Sequence, residues 1–328
     1  MQETKIFSRI EEKIFLKGAN ILLYAMIDIG SNTIRMAIYQ IEGDRVELVM
    51  KQKHNVSLAS YIHDEYLQRE GIEKTVDILC EYRDFLAAFG IMRRTALTAA
   101  ALRNIRNSRP AVGEIEYRTG MSIKVLSGDE EATYDFIGAT HNLDDESGLL
   151  IDIGGGSTEI VYFKDREIQV KVSLPIGSRG FHVRYTGKRN IFPSKLECDD
   201  MRAEAEATVG AIREFQAISH AQIAGIGGTF KGALALYNSM YGLPNRNRRL
   251  EIRRIPDMLW RFQREHELTQ QDAILLMRTV PERLRTFMPG LIIADALANR
   301  FGSSDIIFSD SGVREGFLYD QIIDKEAW

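Results

Sequence analysis

The chain has 328 residues, of which 45% are hydrophobic and 27% charged, with a formal net charge of -4. That balance is the one of a soluble globular protein of two domains, and its acidity excludes a general nucleic-acid coat. Two cysteines, Cys80 and Cys198, are too few for a disulfide framework or a four-ligand zinc site and suit a reducing cytoplasm, while no apolar run reaches the roughly 18 residues of a membrane span.

Residues 1–25 scatter Lys5, Arg9, Glu11, Glu12, Lys13 and Lys17 among Ile6, Phe7, Ile10, Ile14, Phe15 and Leu16. A secretory signal would gather its charge at the start, so this reads as an amphipathic extension. Met26, just before Ile27-Asp28, is an alternative translation start. The apolar run Leu22 to Ile27 then delivers Asp28, a turn Gly30-Ser31-Asn32, and a second run Ile34 to Ile38: strand, tight turn, returning strand. Gly43-Asp44 marks a turn before a third strand at Val46 to Met50. Ile72, Val76, Leu79, Cys80 and Leu86 recur at helical spacing until Gly90, and Cys80 on that stripe reads as core filler. Thr95 to Thr98 is a strand running into Ala99, Ala100 and Arg103; Ser108 and Pro110 open a helix. Ile123 to Leu126 leads into Ser127-Gly128-Asp129-Glu130-Glu131, where Ser127 and Glu130 have the spacing of a capping box. Glu130 thereby has a structural task, and Glu131 is left to point elsewhere.

The opening then recurs. Leu149 to Ile153 delivers Asp152, a turn Gly154-Gly155-Gly156-Ser157-Thr158 follows, and Glu159 to Phe163 and Ile168 to Leu174 complete three strands. Glycines let backbone N–H groups crowd toward an anion, hydroxyls add donors, and an aspartate at a strand end can hold a divalent cation. One such loop is weak evidence; two suggest duplicated domains whose hairpins face one phosphate-bearing ligand. Pro175-Ile176-Gly177 precedes a helix with Met201, Ala205, Thr208, Ile212 and Phe215 on one face. The strand Ile223 to Ile226 meets a third glycine turn, Gly227-Gly228-Thr229. Pro289-Gly290 introduces the stripe Leu291, Ile292, Ala294, Leu297, Ala298, and Ile306 to Phe308 is the last strand before Val313-Arg314-Glu315-Gly316 and a closing helix.

Ile27 to Thr33, Ser127 to Ala132, Ile151 to Glu159, Gly225 to Thr229 and Val313 to Gly316 together resemble, in order, the exopolyphosphatase and guanosine-pentaphosphate phosphohydrolase family (Ppx/GppA phosphatases) in a short, two-domain form. The resemblance implies an α/β fold: two ribonuclease H-like domains of the actin, sugar-kinase and heat-shock-chaperone superfamily around an interdomain cleft. It places domain I at 26–133, with the closing helix at 312–328 packing back on it, and domain II at 134–311. It departs from the family at Ala99 and Ala100, where Thr and Ser are common, at Ser57, and at Arg285, which replaces an aspartate two residues after the expected Arg283.

What the resemblance implies for chemistry is a magnesium-dependent enzyme, with manganese as the alternative ion, that removes terminal phosphate from polyphosphate or from guanosine pentaphosphate. Glu131 is then the general base, and its bland alternative is an exposed helix-start acid. Asp152 and Glu159 are the magnesium carboxylates, since magnesium needs only one or two beside phosphate oxygens. Asp28, Gly30, Ser31, Asn32, Gly154, Gly155, Gly156, Ser157 and Thr158 would cradle phosphate, and Arg103 would clamp it unless it is a solvated helix charge. Gly227, Gly228 and Thr229 face a nucleoside in nucleotide-binding relatives or serve backbone packing only. Arg246, Arg248, Arg249, Arg253, Arg254, Arg261 and Arg264 form either a polyanion track or a solvated surface, and the six histidines show no metal spacing. The expected molecule is a cytoplasmic homodimer with no nucleic acid or membrane partner. Its alternatives are a sensor that binds polyphosphate or guanosine tetraphosphate without turnover, and a kinase of the same superfamily, against which the Glu130-Glu131 pair argues.

Overall fold

The computed structural model describes residues 21–141, 146–187 and 189–323; positions 1–20 of the expected extension and 324–328 of the expected closing helix lie outside them. A first sheet contains β1 (Leu22–Ile29), β2 (Thr33–Glu42), β3 (Arg45–Asn55), β4 (Arg94–Thr98) and β5 (Ile123–Val125), in the order β3-β2-β1-β4-β5. The first three strands run antiparallel; β4 and β5 join parallel. A second sheet contains β6 (Gly148–Ile153), β7 (Thr158–Lys164), β8 (Glu167–Leu174), β9 (Gln222–Ile226), β10 (Arg249–Glu251) and β11 (Asp305–Phe308), in the order β8-β7-β6-β9-β11-β10. Apart from β10, which adds antiparallel at the edge, its order and strand directions repeat the first. The chain thus has the fold of two ribonuclease H-like, actin-type α/β units.

Burial explains the strand patterns. The central strands β1 and β6 are apolar on both faces, as strands covered on both sides must be. Edge strand β3 alternates its exposure and continues to Asn55, beyond the expected Met50, because Lys51–Asn55 pair with Thr33–Ala37. β1 begins at Leu22, so four residues expected in the extension belong to the sheet: Leu22–Ala25 pair with Ile38–Ile41, and Tyr24 and Ala25 are buried.

Helices α1 (Arg69–Ala88) and α2 (Ser108–Thr119) close the core of the first sheet, with Ile72, Val76, Leu79 and Ile115 buried. Then α3 (Gly128–Thr140) runs between the two sheets' strands, and α4 (Lys195–Gly210), α5 (Gly227–Met240) and α6 (Phe287–Phe301) build the second core. The α4 helix stops at Gly210, so Ile212 and Phe215 enter the core from the turn that follows rather than from the helix face. The apolar α6 is buried nearly all round, as a central helix should be. Last, α7 (Val313–Phe317) and the turn Leu318–Ile323 pack against α3, placing Phe317, Leu318 and Ile322 beside Tyr24, Met26, Leu97 and Tyr134.

Candidate active site

The two duplicated turns have the same internal geometry. Gly30 N–H donates to the Thr33 carbonyl at 3.0 Å, and Gly154 N–H to the Ser157 carbonyl at 2.9 Å. They also face each other: a Cβ built on Gly155 would lie 3.3 Å from Ser31 Cβ, and one on Gly156 3.6 Å from Ala100 Cβ. The paired strand registers then reveal an asymmetry. Asp28 stands opposite Arg35 across β1 and β2, whereas Asp152 stands opposite Glu159 across β6 and β7. One copy pairs its carboxylate with a cation, and the other doubles the negative charge.

That doubled site is buried. Glu159 is 1% exposed and accepts a hydrogen bond from Ser173 Oγ at 2.7 Å. Asp152 lies against the third glycine turn, where a Cβ on Gly227 would come within 2.3 Å of its Oδ1; Gly227 has φ +82°. Burial pushes the Asp152 carboxyl up to about 6 against the pull of Arg283, and burial with the neighbouring Glu131 charge pushes Glu159 well above its ordinary range.

Glu131 enters from α3. The capping box forms as the sequence requires, Glu130 N–H donating to Ser127 Oγ and Ser127 N–H to the Glu130 carboxylate. This fixes Glu130 at the helix start and leaves Glu131 free to turn inward, its side chain 14% exposed. Arg103 Nη1 donates to Glu131 Oε2 and to the Leu126 carbonyl, both at 2.9 Å. Burial nonetheless outweighs that cation and, with Asp152 and Asp28, raises the Glu131 carboxyl to about 7.

Several expected ligands are occupied by the protein itself. The Asn32 amide accepts from Ser57 Oγ at 3.2 Å and reaches the Glu282 carbonyl at 3.5 Å. The Thr158 and Thr229 hydroxyls donate to the carbonyls of Ile176 and Ile153, at 2.8 and 2.7 Å, so they shape the loops rather than offer donors to a ligand. Gly227 and Gly228 make room for side chains: Gly227 for Asp152, and Gly228 for Arg283, whose Nη2 would meet a Cβ there at 1.8 Å. Their packing role is therefore visible, and a nucleoside is not required to explain them.

Sequence reasoning left out Arg35 and Asp135, and it named Arg283 and Arg314 only as parts of matching motifs, without a role. Arg283 acts on Asp152, and Arg314 on the Asp28 side of the cleft. Aligning the two turns residue by residue would have exposed Arg35 as the counterpart of Glu159. Asp135 follows Glu131 by one helical turn, is fully buried, and has neither carboxylate oxygen hydrogen-bonded. In the arginine-rich stretch, by contrast, six of the seven arginines are paired locally: Arg248 with Asp310, Arg249 with Asp305, Arg253 with Glu251, Arg254 with Asp257, Arg261 with Asp272 and Arg264 with Glu197. These pairs are what a solvated surface predicts, and they leave little unpaired charge for a polyanion track.

Among the described residues, no group of three or more His, Cys, Asp or Glu has the geometry to hold a metal ion by protein ligands alone. A magnesium ion asks for less, because it keeps several waters and shares substrate phosphate oxygens. The adjacent, buried Asp152 and Glu159, each raised by like charges nearby, fit such an ion. Among the described residues no helix is long and apolar enough to cross a membrane.

The model of the Ppx/GppA phosphatase family matches residues 37–325. A bifunctional 3-dehydroquinate synthase/phosphatase of Fusobacterium nucleatum is 26% identical over 95% of this chain and 48% of its own length. A guanosine-5'-triphosphate,3'-diphosphate pyrophosphatase of Aeromonas hydrophila is 27% identical over 90% of this chain and 59% of its own length. The chain thus spans about half the length of these curated relatives. The crystal structure of the Aquifex aeolicus Ppx/GppA family member superposes with a TM-score of 0.74 at 24% identity, covering 94% of this chain and all of that one.

Proposed function

The chain belongs to the Ppx/GppA phosphatase family, and we propose that it is a magnesium-dependent phosphohydrolase. It releases terminal orthophosphate from inorganic polyphosphate, with the 5'-γ-phosphate of guanosine pentaphosphate as a second target. The observation that carries this reading is Glu131, a buried carboxylate raised to about 7 and facing the Asp152 side of the cleft. A base with that affinity for protons is matched to neutral pH.

In this reading Glu131 orients a water toward the terminal phosphorus and takes its proton as the new P–O bond forms. The bond to the shortened chain breaks, and its electron pair leaves on the chain's new terminal oxygen. Backbone N–H groups of Ser31, Asn32, Gly155 and Gly156 supply donors to the phosphate oxygens between the facing turns. Arg103 exchanges Glu131 for a phosphate oxygen when substrate enters, freeing the base and clamping the substrate with one movement. Asp152 and Glu159 would hold magnesium, which when bound neutralises phosphate charge. We assign residues 26–133, with α7 packed back on them, to domain I and 134–311 to domain II, and we expect a cytoplasmic homodimer.

Magnesium-dependent phosphate release is measured from long-chain polyphosphate and, in parallel, guanosine pentaphosphate. Glu131→Gln should lower kcat about 10²–10⁴-fold on either, the usual contribution of a general base. A variant as fast as the parent protein would remove Glu131 from the chemistry.

A further inference from the structure

One buried acid has no task in that chemistry. Asp135 stands on α3 one helical turn after Glu131, so the two side chains share a face of that helix. It is 0% exposed, amid the buried Ala132, Tyr134, Phe136 and Ala139, and neither of its oxygens has a hydrogen-bond partner among the described residues. Its neighbours in the carboxylate pocket are better provided: Glu131 has Arg103, and Glu159 has Ser173.

Other elements close around Asp135 and connect it to Asp152. Gly312, at the start of α7, makes room for its carboxylate: a Cβ there would come within 3.0 Å of Asp135 Oδ1 and 2.8 Å of Ile226 Cγ2. Ile226 ends β9, where it pairs in register with Asp152, and the next residue, Gly227, lies against the Asp152 carboxylate. Capping α7 does not explain Asp135. Glu315 already accepts from the Gly312 N–H at 3.1 Å, and the Val313 N–H, though it favours a charged Asp135, forms no hydrogen bond to it. Burial, followed by the charges of Asp152, Glu131 and Glu159, pushes the Asp135 carboxyl well above its ordinary range. An unpartnered buried acid costs stability, and a water or an ion is a common reason for keeping one.

We propose that Asp135 is a positioning residue for magnesium: it accepts a hydrogen bond from the water shell of an ion held by Asp152 and Glu159, and so fixes that ion relative to Glu131. This rests on the magnesium-dependent reading of the cleft. Magnesium keeps several of its waters, and the groups those waters bond orient the ion together with its direct ligands. One helix then carries both the base and, a turn later, the outer anchor of the ion.

The test follows magnesium binding through the rise in Tm as the ion is added to chelator-treated protein, a readout that needs no turnover. Asp135→Leu keeps the branched shape and removes both acceptors, whereas Asp135→Asn keeps one. In chelator Asp135→Leu should melt higher than the parent protein, because an unpartnered buried carboxyl is gone. It should nonetheless need about 10–100-fold more magnesium for the same rise, the usual loss when an outer partner of a metal site is removed, and Asp135→Asn should fall between. An unchanged magnesium requirement in Asp135→Leu overturns the proposal, as does a loss in Asp135→Asn equal to that in Asp135→Leu. If Asp135→Leu does not fold, Asp135→Ala takes its place with the same expectation for magnesium. A parent protein whose Tm ignores magnesium overturns the proposal and the metal site together. If the parent protein binds magnesium through Asp135 yet releases no phosphate, the proposal stands and the hydrolase reading alone fails.

Discussion

At the scale of single residues, what the sequence made legible was what chemistry restricts to few residue types. Asp28, Asp152 and the glycines around them could be found because a tight anion-facing turn tolerates little else. Asp135 could not, since a lone charge in a helix is usually solvated, and Arg35 needed the two turns aligned residue by residue, a match with Glu159 that the strand register bears out. The charge that results from that difference makes a pH prediction. Glu131 and Asp152 are raised to about 7 and about 6, mainly by burial. The folded protein keeps these protons where the unfolded chain has released them. The stability they allow is full below the ordinary carboxylate range and is lost as pH rises through 6 and 7. In chelator, Tm should therefore fall between about pH 4 and about pH 7, less steeply in Glu131→Gln, and magnesium should restore more at the upper end. Activity runs the other way, kcat/KM climbing with pH as Glu131 ionises. A Tm that stays level in chelator would mean these carboxylates are not desolvated as the packing indicates.

At the scale of elements, periodicity located most strands and helices, while their ends depended on partners that periodicity does not contain. The β3 strand outran its apolar residues because its edge pairing continued, and α4 stopped short of Ile212 because the core could be reached from a turn. The crossing of α3 with α7 was invisible for a related reason: it is made of absent side chains. A Cβ on Gly316 would lie 1.8 Å from the Tyr134 carbonyl oxygen, and one on Gly138 2.3 Å from that of Gly312. Backbone cannot retreat as a flexible side chain can, so Gly316→Ala should force the helices apart and cost about 1–3 kcal/mol, the usual scale of overpacking. Because α3 carries Glu131 and α7 carries Arg314, kcat should fall as well. Gly113→Ala is the control: it sits exposed inside α2 with nothing within 4 Å of the added Cβ. There the better helix former should stabilise by up to about 1 kcal/mol. Urea unfolding of both variants checks the pair, and equal, small effects would show that the crossing is looser than its geometry.

At the scale of the molecule, the repeated Asp-Ile-Gly turn was enough to predict a duplicated fold, because both sheets share one strand order. How far the halves stand apart was not legible, since it depends on contacts between residues distant in the chain. Here the turns touch, Gly155 against Ser31, so a phosphate cannot pass between them until the cleft opens. Across its mouth Lys53 on β3 pairs with Glu282, whose carbonyl also receives the Asn32 amide. The two charged side chains are 51% and 37% exposed, so water and salt screen them. Such a pair contributes at most about 1 kcal/mol, which shifts an open-to-closed ratio by no more than about fivefold. That weakness suits a gate, which must yield to a polyanion. Glu282→Gln should therefore enlarge the radius of gyration of the free protein in small-angle X-ray scattering and leave that of the polyphosphate-bound protein unchanged. Raising salt should expand the parent protein toward the variant, because screening acts on the same pair. If the free variant scatters as the parent does, the closed form is held by the packing of α3 and α7 instead, and the Lys53–Glu282 pair only decorates its edge.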